Sequence, residues 1–121
     1  MKFAHFTLAT RELPKTREFL AKTLGCKIIE RPNNIPYPAA WLEIGPGQEI
    51  HLLELPDFEP SPFEGEYGRH IALTYPKNEL DALKKRLNEA GVELITPHRE
   101  TPFERFFFQD HNGYVFEIVE E

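Results

Sequence analysis

Two pairs of glycines set the terms on which this chain can fold. Gly25 and Gly91 each close a segment with helical apolar spacing, and 91 − 25 = 66. Gly47 and Gly113 each sit in a turn just before a terminal apolar run, and 113 − 47 = 66 again. Glycine suits helix stops and tight hairpin turns, where a Cβ would clash. A third landmark agrees within one residue: AHFTLAT and RHIALTY each carry a histidine in second place, and 70 − 5 = 65. A period this long is no solenoid repeat. It predicts two modules folded against each other about a pseudo-twofold axis.

Each copy reads as β-α-β-β-β. In the first, residues 3–9 form a strand and Leu13–Leu24 a helix, with Pro14 in its first turn and Phe19, Leu20 and Leu24 as the apolar stripe. CKIIE, AAWLEIG and QEIHLLEL follow as strands, with the proline-rich RPNNIPYP between the first two. In the second, HIALTY is a strand and NELDALKKRLNEAG a helix with Asn78 as N-cap and Leu80, Leu83 and Leu87 as its stripe. VELIT, RFFFQ and YVFEIVE complete it, the last two joined by the turn Asp110-His111-Asn112-Gly113. Module one covers residues 1–55, module two 69–121, and the acidic, proline-rich stretch 56–68 reads as a linker over the surface. The 121 residues fit one compact α+β domain.

Composition excludes several classes. Net charge is −6 with no basic block, which argues against nucleic acid. There is no apolar run long enough for a membrane span and no secretory signal. One cysteine, Cys26, can make no internal disulfide, so a cytoplasmic location is expected, with the thiol as a small buried hydrophobe.

The offset also finds candidate chemistry. Since 117 − 66 = 51, Glu117 and His51 hold equivalent places in the last strand of each module, as His5 and His70 do in the first. Four potential metal ligands thus occupy two repeat-related pairs. Glu117 lies in a strand apolar on both faces, and His51 lies between Ile50 and Leu52. A carboxylate so placed is costly without a partner, and a divalent cation is one such partner. Three imidazoles and a carboxylate suit Zn, Ni, Fe or Mn. His98 and His111 have no repeat partner and read as surface residues; Glu54 and Glu120 pair but face away from the ligands.

These residues resemble the vicinal oxygen chelate superfamily, which includes glyoxalases, bleomycin-resistance proteins and extradiol dioxygenases. The resemblance spans nearly the whole chain and rests on AHFTLAT, RHIALTY, GYVFEIVE and the turn DHNG. It implies two β-α-β-β-β modules forming an open half-barrel, a divalent metal held by His5, His51, His70 and Glu117, a small substrate with vicinal oxygens, and a homodimer. Glu117 and His51 are then also the candidate catalytic residues, Glu117 as base and His51 as a ligand whose place during turnover is open. Lyase or isomerase chemistry of the glyoxalase type is the first expectation. Ring cleavage by an extradiol-type dioxygenase and metal-free binding of an antibiotic or other small molecule are the alternatives. Three departures bear on the choice. Ala9 stands where glyoxalase I usually has an arginine for glutathione, and Phe106–Phe108 stand where extradiol enzymes usually carry a tyrosine. Only Arg99 and Arg105 approach the basic cluster of fosfomycin enzymes.

Overall fold

The computed structural model describes all 121 residues, in two compact units, Met1–Phe58 and Glu59–Glu121. In the first, β1 (His5–Thr10) leads to helix α1 (Leu13–Phe19), which Leu20–Leu24 continue as a π-helical turn. Strands β2 (Lys27–Ile29), β3 (Ala39–Gly45) and β4 (Gln48–Glu54) complete an open mixed sheet of order β1-β4-β3-β2, with β1 parallel to β4. The second repeats this plan. β5 (Ile71–Tyr75), a 3₁₀ turn (Lys77–Glu79), α2 (Leu80–Glu89), β6 (Leu94–Ile95), β7 (Arg105–Gln109) and β8 (Val115–Glu120) give the order β5-β8-β7-β6, with β5 parallel to β8.

The glycine pairs account for this shared plan. Gly25, Gly47, Gly91 and Gly113 are the residues with positive φ, and no other residue type adopts it. The two helix stops and the two hairpin turns therefore fall where the sequence put them.

Each sheet has one face built for a helix. In the first unit Leu8, Leu42, Ile50 and Leu52 are buried beneath Leu13, Leu20 and Leu24. In the second Phe106, Phe108, Phe116 and Ile118 are buried together with Leu80, Leu83 and Leu87. The parallel registers set the helix starts. Thr10 lies beside Glu54, whose Oε2 accepts the Leu13 N–H at 2.9 Å. Tyr75 lies beside Glu120, which ion-pairs with Lys77 at 3.5 Å. Glu54 thus anchors its helix entry through a backbone N–H, whereas Glu120 meets the equivalent entry only through the Lys77 side chain.

Several local expectations are corrected. The buried stripe of α1 and its continuation is Leu13, Thr16, Leu20, Thr23 and Leu24, while Phe19 is only half-buried. The threonines enter because their hydroxyls are satisfied: Thr16 bonds Thr10 at 2.9 Å and Thr23 donates to the Phe19 carbonyl at 2.6 Å. Asn78 is not a helix cap. Pro76 starts a 3₁₀ turn that contains Asn78, and α2 begins after Glu79 with no side-chain cap. VELIT pairs only at Leu94–Ile95.

The largest correction concerns residues 56–68. The stretch is no plain surface linker, since Glu64 and Glu66 fasten it to the second unit. Glu64, 4% exposed at its side chain, holds Arg69 at 2.8 Å and accepts the Val115 N–H at 2.7 Å. Glu66 accepts the N–H groups of His98 and Arg99 at 2.7 and 3.0 Å. Around them the backbone folds tightly on itself, from Phe63 to Arg69. A Cβ on Gly68 would lie 1.8 Å from the Phe63 carbonyl oxygen, so this position has room for hydrogen alone.

Candidate metal-binding residues

In the first unit β1, β3 and β4 present one set of side chains on the sheet face away from α1. His51 lies in register with Trp41 on one side and Thr7 on the other, and His5 with Glu49. The rings stack in a column: His5 on His51 with centroids 3.9 Å apart, and His51 on Trp41 at 3.8 Å. Glu49 Oε1 sits 2.8 Å from His51 Nε2. His51 is largely buried, with 11% of its side chain exposed, so this carboxylate satisfies an imidazole that the sheet and two rings enclose.

In the second unit the equivalent face carries His70, Phe107 and Glu117. Glu117 lies in register with Phe107 on β7 and Ala72 on β5. His70, just before β5, packs edge-on against Phe107 with centroids 5.3 Å apart. Its Nδ1 lies 3.0 Å from the Gly65 carbonyl oxygen. A carbonyl only accepts, so Nδ1 carries the hydrogen and donates it. That fixes the tautomer and turns Nε2 toward Glu117 Oε1, 3.2 Å away. Protonated at Nε2 the ring ion-pairs with this carboxylate; deprotonated there, it leaves two lone pairs 3.2 Å apart, which one cation lying beside both could share.

The other oxygen of Glu117 is already engaged. Arg105 Nη1 donates to Oε2 at 2.9 Å, and Nη2 donates to Glu66 at 3.0 Å and to the Arg99 carbonyl at 2.8 Å. This is a buried network, with 3% of the Arg105 side chain exposed and 10% of Glu117. Burial works against the guanidinium charge, but the bonds to Glu117 and Glu66 outweigh it and raise the Arg105 pKa. The His98 N–H above all holds Glu66 down to about 2, against some desolvation and with help from the Arg99 N–H and Arg105. Asp110, in the turn before β8, accepts the N–H groups of Asn112 and Tyr114 at 3.0 and 2.9 Å. Burial raises its pKa even so.

The structure therefore pairs His5 with His51 in one unit and His70 with Glu117 in the other. In neither unit do three or more His, Cys, Asp or Glu side chains gather in metal-ligating geometry. Sequence reasoning missed Glu49, Glu66 and the true partner of Arg105. Glu49 is two residues from His51, on the same strand face, and alternation would have found it. The Arg105 contact is a diagonal across β7 and β8 and depends on a register that spacing does not show. Arg105, which had counted toward a basic cluster, has its Nη groups turned onto carboxylates of its own unit. His98 and His111 are exposed, and Cys26 is buried with its thiol pushed up to about 12 by desolvation.

Comparison with known proteins follows the same lines. Residues 2–118 match the Glyoxalase/Bleomycin resistance protein/Dioxygenase superfamily. The chain is 27% identical over 118 residues to Glyoxylase I 4 of Arabidopsis thaliana, covering 94% of this chain and 67% of that protein. It is 26% identical over 117 residues to the metallothiol transferase FosB of Shouchella clausii (strain KSM-K16), covering 94% and 76%. Among solved structures, a mutant of the fosfomycin resistance protein FosX of Listeria monocytogenes superposes with a TM-score of 0.81 at 23% identity, covering 98% of this chain and 91% of that one. That protein was solved with Mn(II) and 1S,2S-dihydroxypropylphosphonic acid. No helix of the present structure is long and apolar enough to cross a membrane.

Proposed function

The chain belongs to the Glyoxalase/Bleomycin resistance protein/Dioxygenase superfamily, and from that premise we propose that it is a metal-dependent, glyoxalase-like enzyme of lyase or isomerase type, acting on a small substrate with adjacent oxygens. The observation that carries this reading is the His70–Glu117 pair. His70 Nε2 and Glu117 Oε1 lie 3.2 Å apart, an ion pair when the imidazole is protonated and two adjacent donor atoms for one cation when it is not. His5, His51, His70 and Glu117 are the residues we propose as ligands of the ion, within one domain spanning residues 1–121. A divalent ion bound there would polarise the substrate oxygens.

The protein's own groups supply the rest. Gly65 holds the His70 tautomer. Glu49 holds His51 at Nε2 and leaves Nδ1 as its unengaged nitrogen. Trp41 and Phe107, in register with His51 and Glu117, wall the ligands with apolar surface and limit water. The likeness to FosB favours a second reading, thiol transfer to a small electrophile on the same residues. We place the protein in the cytoplasm as a homodimer, the latter checked by light scattering.

The test begins with metal analysis of the purified chain after addition of Ni, Zn, Mn or Fe, for wild type, His5→Ala and Glu117→Ala. One equivalent in wild type and loss in both variants is expected. No stoichiometric metal in wild type would sink the reading. A screen of methylglyoxal–thiol adducts, catechols and thiol acceptors then separates the chemistries.

A further inference from the structure

We propose that Arg105 is a positioning residue that makes Glu117 a one-oxygen donor, occupying Oε2 and leaving Oε1 for a cation. This rests on the metal-binding reading above.

Three observations support it. First, the two oxygens of Glu117 differ in surroundings: Oε2 lies 2.9 Å from Arg105 Nη1, and Oε1 lies 3.2 Å from His70 Nε2. Second, Arg105 is itself immobilised. Its Nη2 bonds Glu66 and the Arg99 carbonyl, and Glu66 is tied to two backbone N–H groups. Its guanidinium also lies over the Phe107 ring, 5.4 Å from the centroid. A planar fork held this way fixes the carboxylate rotation, which a mobile lysine would not.

Third, the repeat provides an internal control. The position equivalent to Glu117 is His51, and the position equivalent to Arg105 is Ala39, since 105 − 66 = 39. An imidazole has no second oxygen to restrain. The guanidinium stands beside the carboxylate and has no counterpart beside the histidine, as a restraint on Oε2 requires. A purely structural charge pair would also explain Arg105 but would give it no effect on how Glu117 meets an ion.

The experiment is a double-mutant cycle on the full chain: wild type, R105A, E117H and R105A/E117H, titrated with Co(II) by calorimetry and visible absorption. With Glu117 present, R105A is expected to weaken Co(II) binding about 10–100-fold, the usual cost of losing a ligand's supporting hydrogen bond. The visible band is expected to lose intensity as a freed carboxylate binds through both oxygens and raises the coordination number. In the E117H background R105A is expected to change affinity less than about threefold. R105K, whose mobile ammonium does not fix the carboxylate, is expected to weaken the band as R105A does.

Equal effects of R105A in both backgrounds, or none in either, would overturn the proposal while the metal reading stands. Absence of Co(II) binding by wild type overturns both. Circular dichroism monitors folding. Should R105A not fold, R105K takes its place in the cycle, because one ammonium cannot span both carboxylates. A loss beside Glu117 that vanishes with E117H then supports the proposal, and equal affinity in all four proteins overturns it.

Discussion

Glu66 shows how one side chain in an unpromising stretch comes to govern its surroundings. Backbone N–H groups and Arg105 stabilise its ionised form, so its pKa falls from 4.5 to about 2 on folding. A carboxyl with a lowered folded pKa adds stability that is complete above the unfolded value and disappears as pH falls through the folded one. This contribution is therefore intact above pH 4.5 and lost between 4.5 and about 2. Glu66→Gln is expected to remove that part of the acid sensitivity, measured by urea unfolding at several pH values between neutrality and the acid limb. Parallel pH profiles for the two proteins would contradict the assignment. His70 and Glu117 were legible in the sequence as residue types at repeat positions. Arg105 and Glu66 were not, because hydrogen bonds between residues 39 apart follow from register and loop path.

The elements divide in a similar way. Strand β3, at Ala39–Gly45, and strand β7, at Arg105–Gln109, lie where alternation and turn residues put them. The leucine stripe of α2 is also as spaced. What local pattern could not show was how helices begin, since that depends on neighbours distant in sequence. The Leu13 N–H finds its acceptor in Glu54, 41 residues on. Glu54→Ala is expected to cost about 1 kcal/mol, comparable to loss of a helix N-cap, seen as a lowered Tm. The loop before β5 depends on Gly68 in a different way. Gly68→Ala forces the chain away from the Phe63 carbonyl and is expected to cost about 1–3 kcal/mol and to loosen the Gly65 contact with His70. A Tm within a degree of wild type would show that the loop relaxes freely.

At the scale of the whole molecule, two units with one strand order carry different chemistry on equivalent faces. One stacks His5, His51 and Trp41; the other sets His70 against Glu117 and backs the carboxylate with Arg105. The proposed ion would bind the folded chain and not the unfolded one, so it should stabilise by mass action. At one hundred times the dissociation constant the gain is about 2.7 kcal/mol. Thermal unfolding with and without Co(II) should show this for wild type and not for Glu117→Ala. Equal Tm values for wild type with and without the ion would argue against folding-linked binding.

The amino-acid sequence by itself determined the repeat, because helix stops and hairpin turns demand glycine and place Gly25, Gly47, Gly91 and Gly113 at one period. It determined the candidate ligands by the same arithmetic, since equivalent strand positions share a face. Only the tertiary structure decided what stands behind each ligand. It set Glu49 on His51, Gly65 on His70 and Arg105 on Glu117. Burying a polar group demands a partner, but which atom answers is settled by strand register and loop packing, where distant residues meet.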